Sequence, residues 1–331
     1  MSCRLAALRQ RVVDRPALPV PSWTLAALLV GLLACRLLGV EQGAFGAAAM
    51  GLLPLLLLPA YPLLVRSALL RRTRLAAVAL AVVAAHLLLV APALDRSERA
   101  CTGTPLRVVT ANVLRTNPDP ARVGRALRLL RPDVLVVPEL TPRGLDGLLA
   151  AGLGEDLPYR LVGQEGDPET VGLLSRFPLA DPVLVPASGR LWPRATVDVG
   201  GTAVRLLAVH PLPPLSRYGD AWRPALQGLS RELQDLALPA VVAGDFNSGR
   251  DHATFRRLLR DGVRDASEER GRGLAPTWPQ RRPVLHLDHV LVRDGAGGTV
   301  AVCDLGERAL PGSDHLAVLA DLSVGSDPER R

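Results

Sequence analysis

The amino-acid sequence predicts an α/β domain with mixed β-sheets, attached to an N-terminal region of transmembrane helices. Three observations predict this arrangement. Residues 20–94 hold three long apolar stretches, whereas from residue 104 short apolar runs alternate with amphipathic ones, as strands alternate with helices. Several of the short runs follow one another with no helix between them, so the sheets should be mixed rather than purely parallel. The 331 residues are enough for one large domain behind the apolar region.

The apolar stretches lie at about residues 20–40, 44–65 and 75–94. Each is close to the ~20 residues that a helix needs to cross ~30 Å of hydrocarbon. Three such stretches in succession, with arginine clusters between them, favour transmembrane helices over the buried helices of a soluble protein. The sequence therefore divides into a cytoplasmic N-terminus at 1–19, three transmembrane helices at 20–94, a linker at 95–103, a folded domain at 104–323 and a polar tail at 324–331.

The distribution of arginine predicts the orientation in the membrane. Short loops rich in Arg tend to stay in the cytoplasm. Four arginines precede the first stretch and four more lie between the second and the third, namely Arg4, Arg9, Arg11, Arg15, Arg66, Arg71, Arg72 and Arg74. The N-terminus of this multi-pass membrane protein should therefore be cytoplasmic, and the domain from residue 104 should be extracytoplasmic. Ala91-Pro92-Ala93 faintly resembles a cleavage site, which leaves release of the domain open.

The charge of the predicted domain argues against binding to duplex nucleic acid. All 39 basic residues are arginine, and the net charge is +7. Residues 1–94 account for the whole excess, with nine Arg against Asp14 and Glu41, so the rest of the chain is neutral. Enzymes that bind duplexes usually carry a basic face, because neutralising phosphates drives their affinity. A nucleic acid is therefore a less expected partner than the membrane lipid bilayer.

Two of the four cysteines lie in the part that should be exported. Cys101 and Cys303 would meet an oxidising environment, in which disulfides persist. Sequence supplies no distance between them, so a disulfide and two isolated small residues remain alternatives.

The folded domain reads as strands and helices in the following order. Apolar runs predict strands, and apolar residues at helical spacing predict helices. The predicted strands are 106–113, 133–137, 171–174, 195–199, 203–209, 240–243, 287–292, 299–305 and 316–322. The predicted helices are 120–130, 142–151, 220–236 and 253–260.

Four of the predicted strands run directly into a polar residue of a type used in phosphoryl chemistry. These residues are Asn112, Glu139, His210 and Asp245. Layered α/β proteins build their sites at strand ends, because the core positions the strand while the exit loop is wet. Two further pieces come late in the chain, at Leu287-Asp288-His289 and Ser313-Asp314-His315.

The segment Gly244-Asp245-Phe246-Asn247 shows the pattern most clearly. In an extended segment alternate side chains share a face, so Asp245 and Asn247 should point together while Phe246 points away. The carboxylate can hold or deprotonate a water, and the amide can donate to an oxygen without adding negative charge. A strand that ends in an Asx turn is the alternative interpretation of these four residues taken alone.

These motifs resemble the endonuclease/exonuclease/phosphatase superfamily of metal-dependent phosphoesterases, also called DNase I-like. The resemblance covers residues 104–323, with seven elements in the family's order. They are Thr110–Asn112, Pro138-Glu139, Leu174–Pro178, Val209-His210, Gly244–Asn247, Leu287–His289 and Ser313–His315. The resemblance implies an α/β (α+β) four-layer sandwich, in which two mixed β-sheets are flanked by helices and the site lies at one end. With three apolar stretches in front, the architecture is most similar to the VanJ-type teicoplanin-resistance membrane phosphatases.

The resemblance also implies roles for individual residues. Asn112, Glu139 and Asp314 would offer oxygen ligands to a hard cation, Mg²⁺ or Mn²⁺. Asp288 would orient His315 near the phosphate, Asp245 and Asn247 would position the attacking water and the phosphate, and His210 would stabilise charge from the other side. Whether His315 or Asp245 is the general base stays open. Taken alone, Glu139 could equally be an acid at a helix N-terminus.

Other polar and aromatic residues are assigned structural roles. Trp278 could line a substrate cleft, although a packed aromatic is the default. His252, His286 and His289 match no catalytic position of the family and are interpreted as structural. Asp288 and His315 are expected at strand margins near solvent.

Three classes of function follow. The favoured one is an extracytoplasmic, metal-dependent phosphatase that acts on a lipid-linked phosphate or diphosphate such as undecaprenyl diphosphate, with a link to teicoplanin resistance suggested by the resemblance. Tethering would place such an enzyme beside substrate in the outer leaflet. The alternatives are a surface-tethered nuclease or phosphodiesterase and a non-catalytic binding domain. No motif identifies a protein partner or an oligomeric state.

Overall fold

Two six-stranded β-sheets pack face to face in the domain that follows the apolar helices. The computed structural model describes residues 20–97, 99–163, 170–215 and 219–325. The predicted N-terminal segment 1–19 and residues 326–331 of the predicted tail lie outside the described residues.

The strands of the first sheet are β1 Thr104–Thr110, β2 Val134–Leu140, β3 Tyr159–Val162, β4 Thr170–Ser175, β11 Thr299–Ala309 and β12 Leu316–Gly325. Their order in the sheet is β11-β12-β1-β2-β4-β3. Strands β1 and β2 are parallel and the other pairs are antiparallel, so the sheet is mixed.

The strands of the second sheet are β5 Ala180–Ala187, β6 Arg190–Val199, β7 Thr202–Val209, β8 Ala240–Asp245, β9 Val263–Asp265 and β10 Asp288–Arg293. Their order in the sheet is β5-β6-β7-β8-β10-β9, and this sheet is also mixed, since β7 and β8 are parallel. The prediction of mixed sheets is confirmed for both.

Alternate residues of one strand separate the cores on the two faces of the first sheet. Val108 and Val134 point into the core shared with the second sheet, whereas Val109 and Leu135 pack under outer helices. This alternation follows from the two-residue repeat of a strand, and it produces the predicted order of layers, helix, sheet, sheet and helix.

The helices of the domain lie on its outer faces or in its connections. Strongly amphipathic sequence drives the longer ones against the sheets. They are α6 Pro120–Leu129, α7 Pro142–Leu148 with a π-turn Leu149–Leu153 and α8 Gly154–Asp156, a 3₁₀ turn Gly219–Ala221 with α9 Trp222–Gln234, α10 Ala253–Leu258 and α11 Ala266–Glu269.

The three strands that sequence patterns did not predict are β3, β5 and β9, and all three are edge strands. An edge strand is covered on fewer sides, so it needs no continuous apolar run. β5 also contains Pro182 and Pro186, which are tolerated at an edge because the strand pairs on one side only.

Within residues 20–97, five helices precede the domain: α1 Val20–Leu38, α2 Gly43–Gly51, α3 Leu53–Leu56, α4 Ala60–Leu69 and α5 Thr73–Leu94. Among the described residues, Pro21–Leu38 and Thr73–Leu94 are long and apolar enough to cross a membrane. A third span exists only if α2 and Leu53–Leu69 are counted together, and these are bent by 77° relative to each other. The second transmembrane helix predicted at 44–65 is therefore not confirmed as one continuous helix. Pro54 lacks the N–H that would continue the helix, which accounts for the break after Gly51.

The domain rests on the C-terminal ends of α1 and α5. Arg36 near the end of α1 forms a 2.7 Å ion pair with Asp251, and Arg250 donates to the carbonyl oxygen of Leu89 in α5. Both long helices thus approach the domain with the same end, so their N-terminal ends point away from it. A disulfide joins Cys101 to Cys303 of β11, which settles the alternative left open by the sequence.

Candidate active site

The polar residues predicted from strand ends meet at one end of the two sheets. In the second sheet Val209 pairs with Gly244, and Asp288 pairs with Asp245. Parallel strands β1, β2, β7 and β8 all finish at this end, while the antiparallel strands β10 and β12 begin there. Residues that are far apart in sequence therefore line one cavity of about 420 Å³.

Gly244 makes the approach of β8 to β7 possible. A Cβ atom at this position would lie 1.9 Å from the carbonyl oxygen of Val209. Only glycine permits that distance, and it brings Asp245 to within 3.8 Å of Nε2 of His210.

Asp245 and Asn247 both line the cavity, and Phe246 is fully buried in the core behind them. The prediction that the two polar side chains share a side opposite Phe246 is thus confirmed. Oδ1 of Asp245 also accepts the N–H of Asn247, so the Asx turn of the alternative interpretation is present as well. Asn247 adopts a φ of 48°, a conformation that asparagine tolerates, and its amide donates to the carbonyl oxygen of Pro211.

Glu139 reaches the site through a β-bulge. The register of β2 against β4 shifts between Val137 and Leu140, and Glu139 has a φ of 55°. Bulges of this kind re-aim a side chain at the rim of a sheet. Burial opposes ionisation of Glu139, but nearby His210 and the hydrogen bonds from the Arg115 N–H and the Asn112 amide outweigh it and lower its pKa.

Asn112 connects two carboxylates. Its amide nitrogen donates to Glu139 at 3.0 Å and to Asp245 at 3.1 Å, and its amide oxygen accepts the N–H of Leu114. Asn112 thus lies between the acids where it was expected, while its role as a metal ligand stays a prediction.

His315 is bracketed by Asp288 and Asp245. Its Nδ1 lies 2.8 Å from Oδ2 of Asp288, and its Nε2 lies 3.7 Å from Oδ2 of Asp245. Burial alone would lower the pKa of His315, but the two carboxylates raise it to about 10. Burial, together with the charge of Asp288, raises the pKa of Asp245.

The expectation that Asp288 and His315 lie near solvent is wrong. Asp288 is 0% exposed and His315 is 5% exposed. The cause is the segment Thr277–Leu287, which folds over the strand ends: the hydroxyl of Thr277 accepts the N–H of Asp288, and its carbonyl accepts the N–H of Leu316.

Trp278 is a site residue that sequence reasoning assigned to packing. It lines the cavity, and its indole N–H donates to Oδ2 of Asp314 at 3.0 Å. The indole therefore orients a predicted metal ligand. A tryptophan in the loop before the Asp288 motif was the available signal, but its partner depends on the fold of the loop.

His252 also lines the cavity, whereas His286 and His289 do not. Nδ1 of His289 bonds to Asp265 at 2.7 Å and its ring stacks on His286 beneath the site. These two rings support the strand that carries Asp288.

The residues present fit a hard divalent cation. Among the described residues, Oδ1 of Asp288 and Oδ1 of Asp314 are buried without a hydrogen-bond partner, as expected for oxygens that await another ligand. Asp245, Asp288 and His315 form one group of ligand atoms within 4.8 Å of one another, and Glu139 and Asp314 lie in the same cavity. Carboxylate and amide oxygens suit Mg²⁺ or Mn²⁺.

Part of the cavity lining is apolar and comes from the helices before the domain. Ala47, Ala48 and Gly51 of α2 line it together with Leu52. Sequence reasoning missed these residues because it placed them inside a membrane span. The glycine and the prolines of that stretch were the signal that its helix is broken.

Comparison with known proteins agrees with this architecture. Residues 109–315 match the sequence model of the Endonuclease/Exonuclease/phosphatase family. No curated protein matches the chain. Several solved structures share the fold.

Three of these structures show the extent of the likeness. D. rerio TDP2 in complex with a single-strand DNA product has a TM-score of 0.54 and 18% identity, over 66% of this chain and 99% of that one. An endonuclease/exonuclease/phosphatase from Beutenbergia cavernae has a TM-score of 0.51 and 21% identity, over 67% of this chain and 72% of that one. An endonuclease/exonuclease/phosphatase from Bacteroides vulgatus has a TM-score of 0.52 and 18% identity, over 67% of this chain and 100% of that one.

Proposed function

Since the chain belongs to the endonuclease/exonuclease/phosphatase family, we propose that it is a membrane-anchored, divalent-metal-dependent phosphoesterase that hydrolyses the phosphate or diphosphate of a membrane lipid outside the cytoplasm. One observation is the main support for a lipid substrate. The apolar N-terminal helices contact the domain at its active-site end, so that α2 borders the same cavity as Asp245 and His315. An enzyme anchored in this way meets a lipid head group at high effective concentration.

The metal would be held by Glu139 and Asp314, with Asn112 beside them, and when bound it would polarise a phosphoryl oxygen and neutralise developing charge. Asp245 would accept the proton of the attacking water, because its carboxylate faces the cavity and is held by Asn112 and Asn247. Water oxygen bonds to phosphorus as the bond to the leaving oxygen breaks, and a phosphate leaving group departs as its anion. This chemistry requires no covalent enzyme intermediate.

His315 and His210 would stabilise the phosphate from two sides. His315, paired with Asp288, is an imidazolium that can donate its Nε2 proton to a phosphoryl oxygen. With His315 in this role, Asp245 is the general base of the proposed mechanism. His210 lies across the site, and Asn247 supplies a neutral amide.

Three observations support the extracytoplasmic location. The arginine clusters flank the opposite ends of the apolar stretches. The C-terminal ends of α1 and α5 both meet the domain. If the N-terminus is cytoplasmic, both helices then cross the membrane from the inside to the outside, and the domain lies outside. The Cys101–Cys303 disulfide suits an oxidising compartment.

A nuclease or phosphodiesterase is the second candidate. D. rerio TDP2, which shares the fold, was solved with a single-strand DNA product, and this favours it. Against it stand the balanced charge of residues 95–331 and the apolar wall of the cavity, which offers no cations to a phosphate backbone.

The deciding experiment offers substrates side by side to the full-length protein in detergent with Mg²⁺. We expect release of inorganic phosphate from a polyprenyl diphosphate and none from an Asp245→Asn control. Cleavage of single-stranded DNA in preference to the lipid would replace the proposal with the second candidate. The absence of Asp245-dependent hydrolysis of either would exclude both.

A further inference from the structure

We propose that α2 and Leu52, the broken part of the apolar N-terminal region, bind the hydrocarbon chain of the substrate next to the phosphate site. This inference rests on the proposed lipid substrate and adds the residues that recognise it. The helix is therefore part of the active site and not only an anchor.

Several contacts hold α2 against the domain at the cavity. The carboxylate of Glu41, just before α2, accepts the backbone N–H groups of Ala253 and Thr254 and the Thr254 hydroxyl, and Glu41 is 2% exposed. Further along, Nε2 of His252 donates to the carbonyl oxygen of Ala47 at 2.9 Å.

The state of His252 supports this contact. Its Nδ1 lies 3.0 Å from the Gly249 nitrogen and accepts that N–H, so the ring proton is on Nε2, where it points at Ala47. Burial lowers the pKa of His252, which keeps the ring neutral as this arrangement requires. The position of α2 is thus specified by side chains of the domain.

The face that α2 turns to the cavity is made of small and apolar residues. Ala47 and Gly51 lie one turn apart, as do Ala48 and Leu52, so the four share a side of the chain. The same cavity is also lined by Leu215, Val284, Leu285 and Leu287, together with the catalytic carboxylates and imidazoles. A cavity lined by both charged and apolar side chains matches an amphiphile, whose phosphate and hydrocarbon would contact the two kinds of side chain.

The apolar side continues beyond the catalytic cavity. Gly51, Val284, Leu285 and Leu287 also line a second cavity of about 290 Å³, whose other walls include Met50 and Leu55. Gly51 packs closely against Leu285, which lines both cavities, since a Cβ atom on Gly51 would lie 3.2 Å from the Leu285 side chain.

Exposed apolar side chains mark where the second cavity reaches the surface. Val284 is 45% exposed and Leu55 is 46% exposed. Leu55 belongs to α3, within the apolar region itself. The wall that the two cavities share therefore offers a hydrocarbon chain an apolar contact surface next to the phosphate site, and Arg250 and Asp251 also line the second cavity.

The test is a change of chain-length preference. Ala48→Phe places a ring in the apolar side of the cavity, and Ala44→Phe makes the same substitution at an exposed position of α2 that does not line it. We measure kcat/KM for a long polyprenyl diphosphate and for a water-soluble short-chain prenyl diphosphate in full-length protein. Ala48→Phe should lower the long-to-short ratio by roughly tenfold, a loss of about 1.4 kcal/mol, whereas Ala44→Phe should leave the ratio unchanged.

A second measurement does not depend on turnover. A polyprenyl diphosphate with a photoreactive group on its chain should label the tryptic peptide between Arg36 and Arg66 of the Asp245→Asn protein, and excess unlabelled lipid should abolish the label. An unchanged ratio in Ala48→Phe, or labelling that unlabelled lipid does not reduce, would overturn the inference while leaving a lipid phosphatase intact. If unmodified protein hydrolyses neither diphosphate, the proposed function fails and this inference fails with it.

Discussion

His315 and Asp288 are joined by a 2.8 Å contact between Nδ1 and Oδ2, and both side chains are buried. The contact crosses between the sheets, because Asp288 opens β10 of the second sheet and His315 precedes β12 of the first. The pair therefore links the two layers at the site and is expected to act as one unit.

The first prediction concerns this unit. Asp288→Asn and His315→Ala should each lower kcat by roughly 10²–10⁴-fold, the usual contribution of a positioned acid or base. The double variant should lose little more than His315→Ala alone, since residues that act together are non-additive. The measurement is kcat on one substrate for all three variants; independent, multiplicative losses would show that the two side chains do not cooperate.

Burial adds a consequence for stability that the sequence did not predict. His315→Ala leaves the carboxylate of Asp288 buried without its cation, and breaking a buried pair in this way costs about 3–5 kcal/mol. Thermal melting of His315→Ala should therefore fall clearly, and Asp288→Asn combined with it should recover part of the loss. An unchanged melting temperature in His315→Ala would mean that the site is more hydrated than its burial indicates.

The second prediction concerns metal affinity. Glu139→Gln replaces the charged side chain of a proposed metal ligand by a neutral one, so we expect the Mg²⁺ concentration for half-maximal activity to rise roughly 10–100-fold. Calorimetric titration with Mn²⁺ provides a readout without turnover. Glu155→Gln is the matched control, because the Glu155 side chain is 80% exposed and far from the site in the α8 turn. Full activity of the unmodified protein in excess chelator would contradict the metal requirement.

Much of this site was predictable because it is built at strand ends. Asn112, Glu139, His210 and Asp245 each follow or end an apolar run, and such runs are visible in the sequence. The bulge that aims Glu139 and the loop that buries Asp288 were not predictable, since both depend on pairing with residues distant in the chain. The same reason applies to the three missed edge strands, which lack a continuous apolar pattern.

The apolar N-terminal region shows most clearly what composition alone fails to predict. Residues 44–65 have the length and hydropathy of a span, yet α2 turns aside at Gly51 and packs against the domain. Two tertiary contacts attach it: Glu41 with Thr254, which are 213 positions apart in the sequence, and Ala47 with His252, which are 205 positions apart. Periodicity in one segment carries no information about such a partner.

The third prediction tests orientation. A reporter fused after Arg99 should be active outside the cytoplasm, and one fused after Arg72 should be active inside, because the arginine-rich segment between the second and third apolar stretches should be cytoplasmic. The bend between α2 and Leu53–Leu69 does not change this expectation if Leu53–Leu69 returns the chain to the cytoplasmic side. A reporter after Arg99 that works only in the cytoplasm would contradict the topology and, with it, the extracytoplasmic substrate.

The last prediction concerns Glu41, whose carboxylate attaches α2 to the domain. Glu41→Ala leaves two backbone N–H donors at the start of α10 without an acceptor, and it removes a partner 3.9 Å from Arg223. Hydrogen bonds to a charged group contribute about 1.5–3 kcal/mol each, so the loss should exceed that of a typical surface substitution. Gln42→Ala, at the exposed neighbouring position, is the control.

Two measurements separate detachment of α2 from general unfolding. Melting of the full-length protein in detergent should occur at lower temperature for Glu41→Ala than for Gln42→Ala. Trypsin should also cleave faster after Arg36, because the Arg36–Asp251 pair lies beside the same attachment. If α2 shapes the site, kcat/KM for a long-chain lipid diphosphate should fall more than for a short one. Equal losses on both substrates would show that Glu41 contributes stability alone, and that the position of α2 does not govern recognition of the chain.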